Sequence, residues 1–124
     1  MRKYVFAIAL LVSAQMAGSD EVSDPGITRS PGDMTVKERI QMMKKARGYD
    51  ACVYNKAMAQ VDDEGDIRLV ADMAMGQCEP HLEDLGSMIQ GWGFNPYFAR
   101  GFTGNVRNRA ARKILPELAV RKSR

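Results

Sequence analysis

The feature that most restricts how this chain can fold is the placement of its two cysteines about one turn. Cys52 lies thirteen residues before Gly65, and Cys78 lies thirteen residues after it. Gly65 belongs to Asp62-Asp63-Glu64-Gly65-Asp66, the strongest turn signal in the sequence. Two helices folded back at that turn bring the sulfurs to the same level. The spacing therefore predicts a Cys52–Cys78 disulfide that clamps an antiparallel helical hairpin. A redox-active pair would want Cys-x-x-Cys proximity or an electropositive setting. Cys78 instead has Glu79, Glu83 and Asp84 nearby, which disfavour a thiolate, so the bridge is expected to be structural. The turn also invites comparison with a calcium loop. With Gly65 at the sixth loop position, the first becomes Gln60 and the twelfth Ala71, where calcium binding needs Asp and Glu. Asp66 is better placed as the N-cap of the next helix.

Apolar residues recur at helical spacing on both sides of the turn. Before it, Met42, Ala46, Tyr49, Val53, Ala57 and Val61 share one face. Thr35 and Glu38 form a capping box at its start, and Gly48 within it predicts a break or bend. After the turn, Ile67, Val70, Ala74, Cys78, Leu82, Leu85, Ile89 and Trp92 continue without interruption. Pro80 falls inside this run. Either it kinks one helix, or the chain breaks at Gln77 to Glu79 and Pro80 starts a new helix in its first turn. The glycine-punctuated Gly91–Gly104, GWGFNPYFARGFTG, reads as an irregular segment, followed by a last helix capped by Asn105. Val106, Ala110, Ile114 and Leu118 form its apolar stripe, and Pro116 is expected to disrupt it near the end. The fold class is all-α, with one helical domain over residues 35–120 and a frayed basic tail over 121–124.

The first seventeen residues, MRKYVFAIALLVSAQMA, have the parts of a secretory signal: Arg2 and Lys3, an apolar run over Tyr4–Val12 too short to span a bilayer, and small residues that allow cleavage after Ala14 or Ala17. Residues 18–34 are dominated by Ser, Asp, Gly and Pro and read as a flexible leader. An exported protein, periplasmic or secreted, is the expectation, and an even cysteine pair fits an oxidising compartment. No further apolar run is long enough for a transmembrane helix.

Enzyme signatures are missing. No Gly-x-Ser-x-Gly, His-Glu-x-x-His, phosphate-binding Gly-Lys-Ser/Thr or Cys-x-x-Cys-His occurs, and neither an enzyme nor a cofactor is expected. His81, with Met73, Met75 and Cys78, raises the idea of a soft-metal site. Cys78 is committed to the disulfide, and Met73 and Met75 lie about 200° apart on a helix, so no metal site is assigned. Charge is the more informative feature. From Gly48 to Leu85 nine acids face two bases, a net of −7; from Arg100 onward eight bases face one acid, a net of +7. The basic segment either docks on the acidic hairpin or meets an anionic partner. Aromatics beside arginines resemble single-strand binding surfaces, but export argues against nucleic acid. The leading expectation is a small non-catalytic interaction or structural protein of a bacterial envelope. It would touch an unknown protein or an anionic envelope component through Trp92, Phe94, Tyr97, Phe98, Arg100, Phe102, Arg107, Arg109 and Arg112. The alternatives are a periplasmic binder of a small ligand or soft metal, and a secreted antimicrobial or effector-like protein.

Overall fold

A computed structural model describes residues 29–124, and the segment read as a secretory signal, with most of the segment read as a leader, lies outside them. A 3-10 turn at Pro31–Asp33 precedes four helices: α1 (Val36–Gln60), α2 (Ile67–Gln77), α3 (Glu79–Gly91) and α4 (Pro96–Lys122). The fold is all-α. Among the described residues the only extended pairing is an isolated bridge between Arg29 and Phe94. No helix among them is long and apolar enough to cross a membrane.

α1 opens with the expected capping box: Glu38 N donates to Thr35 Oγ1 and Thr35 N donates to Glu38 Oε1, each at 3.0 Å. It then runs through Gly48 without the expected break. A helical glycine costs about 1 kcal/mol relative to alanine. Burial of Met42, Ala46, Tyr49, Val53 and Ala57 on one continuous face outweighs that cost. The turn and hairpin follow the cysteine spacing. Asp66 Oδ1 accepts from Arg68 N at 2.9 Å to cap α2. The Cys52–Cys78 disulfide joins α1 to the far end of α2 across a Cα separation of 5.9 Å.

At Pro80 the structure takes the second of the two sequence options. Cys78 (φ −98°, ψ 2°) closes α2 and opens α3. Pro80 stands in the first turn of α3, where a missing amide leaves no hydrogen bond unmade. The apolar run survives the joint because Val70, Ala74, Cys78, Leu82, Leu85 and Ile89 all enter the same core.

α4 departs most from the sequence reading. It begins at Pro96 rather than after Asn105, with Asn95 as its cap: Tyr97 N donates to Asn95 Oδ1 at 2.7 Å. Asn95-Pro96 is a cap followed by a preorganised first residue, a start signal that the surrounding glycines obscure. α4 also passes Pro116 and reaches Lys122, so the basic tail belongs largely to the helix. Pro116 is exposed, while Ile114 and Leu118 on either side of it are buried. An ion pair from Arg121 to Asp62 at 2.9 Å holds the last turn against the end of α1.

The ordered body also begins before Thr35. Arg29 N donates to Gly93 O at 2.9 Å, in the turn where Gly93 takes a left-handed φ of 96°. The Arg29 guanidinium grips both oxygens of Glu38, at 2.8 and 2.9 Å, donates to the Trp92 carbonyl at 3.0 Å, and stacks 4.4 Å from the centre of the Phe94 ring. Met34 is buried beside it. The leader reading fails for these residues because one arginine supplies five donors and a flat apolar face. The Arg29 guanidinium, and next the Thr35 amide, hold the Glu38 carboxyl at about 2, below its ordinary 4.5. A depressed carboxyl contributes stability that is complete above 4.5 and is lost as pH falls towards 2. Thermal unfolding of the wild type and of Glu38→Gln should therefore show a gap that is constant above pH 4.5 and narrows between 4.5 and 2. A gap independent of pH would mean that the clasp contributes no proton-linked stability.

Candidate interaction surface

The sequence-selected residues separate into two groups once the start of α4 is known. Phe94 is 3% exposed and belongs to the core. Phe98 and Phe102 sit one and two turns further along and are half-buried, their rings stepping back from Phe94 at centroid spacings of 5.6 and 6.5 Å. Trp92, also half-buried, packs against the same core at the end of α3. These four rings close the end of the bundle. Of the four only Phe94 is fully withdrawn from solvent; the others pack on the core with part of each ring exposed.

Tyr97 is the exception among the aromatics. It is 76% exposed, and the Arg100 guanidinium lies 4.7 Å from its ring centre. Tyr97, Gly101, Asn105, Asn108 and Arg112 recur at three or four residues along α4 and are all exposed, with Arg109 beside them. The result is a polar ridge with an aromatic–arginine pair at its first turn and two arginines in its middle.

The charge asymmetry found in the sequence is partly consumed inside the fold. Arg107 pairs with Glu79 at 2.6 Å, Lys113 with Asp50 at 3.2 Å and Arg121 with Asp62 at 2.9 Å, so the basic helix does dock on the acidic hairpin. Arg107 thus leaves the candidate surface. Arg100, Arg109 and Arg112 make no ion pair among the described residues and remain exposed.

His81 is placed by its neighbours across the helix interface and not by those on its own helix. It shares a groove of about 390 Å³ with Gln41, Lys44, Lys45, Gly48 and Met88. A Cβ at Gly48 would stand 3.9 Å from His81 Nδ1, so the missing side chain keeps this groove open. Two ammonium groups beside an imidazole oppose a cation. Among the described residues no group of three His, Cys, Asp or Glu converges as a metal cluster. Sequence reasoning tied His81 to Cys78 and the methionines because it followed one helix; Lys44 and Lys45 come from α1 and carry no signal of this meeting.

One buried polar atom has no use in this arrangement. Tyr49 is fully buried, its hydroxyl has no hydrogen-bond partner, and burial pushes its ionisation up. Comparison with protein-family models, with curated proteins and with solved structures finds no match to this chain.

Proposed function

We propose that the protein is a small, exported, non-catalytic interaction module of a bacterial envelope, which meets an anionic surface through the exposed ridge of α4. The observation that carries this reading is the division of the basic helix. Arg107, Lys113 and Arg121 are spent on internal acids, while Arg100 stays exposed against Tyr97 and Arg109 and Arg112 stay exposed further along the helix. An exposed aromatic with one cation stacked on it and two more along the same helix suits a lipid–water or saccharide–water boundary, where the ring lies among headgroups and the cations meet phosphate. Two features support export: the signal-like N-terminus and a buried disulfide of the kind that persists in oxidising compartments.

The test is binding to vesicles with and without anionic lipid, across a salt series. Binding should require the anionic lipid and weaken as salt rises. Arg109→Gln with Arg112→Gln removes two charges worth about 1 kcal/mol each near such a surface, so affinity should fall about 30-fold. Arg107→Gln, which breaks an internal pair, should lower thermal stability and change binding far less. Equal binding by the wild type and the double variant would defeat the proposal.

A further inference from the structure

Seven large apolar side chains are exposed among the described residues, and five of them lie along one side of the molecule. Val36, Ile40, Met43 and Tyr54 fall within about 40° of one line down α1, given 100° per residue. The first two are 69% and 60% exposed, far more than a helix needs to leave open. The fifth, Val120, stands on α4 two turns beyond Lys113 and one beyond Glu117, which with Asp50 and Tyr54 line a cleft of about 400 Å³ between α1 and α4. Polar residues on the α1 line are Arg47 and, at its edge, Asp50. One oxygen of Asp50 accepts from Lys113; the other is buried without a donor.

The middle of the line is arranged symmetrically. Met43 and Tyr54 are equidistant from the midpoint between Gly48 and Tyr49, and so are Arg47 and Asp50. Within α1, residues 36–48 hold five bases and one acid, a net of +4, whereas residues 49–60 hold only Asp50 and Lys56; four more acids, Asp62, Asp63, Glu64 and Asp66, stand in the turn just beyond the helix. We propose that two copies of this chain associate by laying α1 antiparallel against α1, about a two-fold axis at that midpoint.

In this register Arg47 of each copy faces Asp50 of the other, and Met43 enters the cleft beside the other copy's Tyr54, a sulfur–aromatic contact made twice. Val36 and Ile40 continue along the cleft to its far end. Arg121 pairs with Asp62 there, which puts Val120 at that level. The basic half of each α1 thereby lies along a neutral partner segment that carries Asp50 and ends beside the acidic turn at Asp62–Asp66. Internal pairs already engage Asp50 and Asp62, so the attraction acts on a face partly neutralised beforehand, and apolar burial supplies most of the affinity. At the centre of the face Asp50 and Glu117 balance Arg47 and Lys113, which leaves anionic headgroups no net attraction there and counts against a membrane as the occupant. The Tyr97–Arg112 ridge is not used.

The test uses protein expressed from the full sequence and purified as the cell leaves it. Sedimentation equilibrium should show a monomer–dimer exchange with a dissociation constant on the order of 10 μM, suited to a small interface. Ile40→Asp and Met43→Asp, both at exposed positions, should keep the far-UV circular dichroism spectrum and weaken association at least about tenfold. Register is read separately with two single variants, Met43→Cys and Tyr54→Cys, and a short bis-maleimide. A mixture of the two should cross-link to a dimer far more than either variant alone. A monomer at every concentration overturns the proposal. So does a dimer that ignores both aspartate substitutions, or one in which a single cysteine variant cross-links as well as the mixture.

Discussion

Replacing Cys52 and Cys78 together by alanine is expected to lower the stability of the domain by about 3.5 kcal/mol. That figure follows from the loop of 26 residues that the bridge closes, through the entropy it removes from the unfolded chain. For a domain of this size it corresponds to a fall of roughly 15–25 °C in the melting midpoint. Part of the loss is native: Cys78 is fully buried, and it is the residue at which α2 ends and α3 begins. Circular dichroism melts of the double variant under oxidising conditions measure the effect, and wild type with a strong reductant should approach the same midpoint. A fall of less than about 5 °C would show that the helices hold the hairpin without the bridge.

The second large effect is expected at Phe94. Phe94→Ala should cost about 3–5 kcal/mol, as for other buried aromatic truncations. The ring is almost wholly buried, stacks with Phe98 and carries the Arg29 guanidinium on its outer face. Its loss opens a cavity at the end of the bundle and removes the platform on which the N-terminal clasp rests. Urea unfolding at constant pH measures the cost. Binding to anionic vesicles, taken where the variant is still folded, should be nearly unchanged, because the ring does not reach the α4 ridge. A stability loss under about 1 kcal/mol, with binding abolished, would return Phe94 to the contact surface.

The hairpin was legible because two separate patterns pointed to it: the cysteines symmetric about Gly65, and a helical apolar period on each side. Met42 to Val61 and Val70 to Ile89 are buried as the period requires. The failures share a cause. Gly48, the glycines of the aromatic segment and Pro116 were weighed by local propensity, and in each case tertiary burial won. α4 keeps Gly101 and Gly104 because Ala99, Val106 and Ala110 are anchored on the core around them. The Asn95-Pro96 start was present in the sequence but was outvoted by its neighbours.

The surface was less legible than the fold. Of the nine residues selected, four rings went into or against the core and Arg107 went into a pair with Glu79, which left Tyr97, Arg100, Arg109 and Arg112. A sequence shows that a segment is aromatic and basic. Which face of the helix looks outward depends on where the helix starts, and moving that start from Asn105 to Asn95 brought every aromatic after Tyr97 into a regular turn. Arg29 was invisible for a different reason. Its partners are Glu38, Trp92, Gly93 and Phe94, up to sixty-five positions away, and no period in the chain links them.

At Cys78 one residue ends α2, begins α3 and is tied to the middle of α1, so a single covalent bond fixes three helices relative to one another. Whole domains are stable by only about 5–15 kcal/mol, and a chain still carrying free thiols gives up a large part of that. Such a chain stands much nearer the threshold of unfolding than its oxidised form. The bond then acts as a latch: the same four helices are loosely held while the thiols are free and firmly held once they are joined.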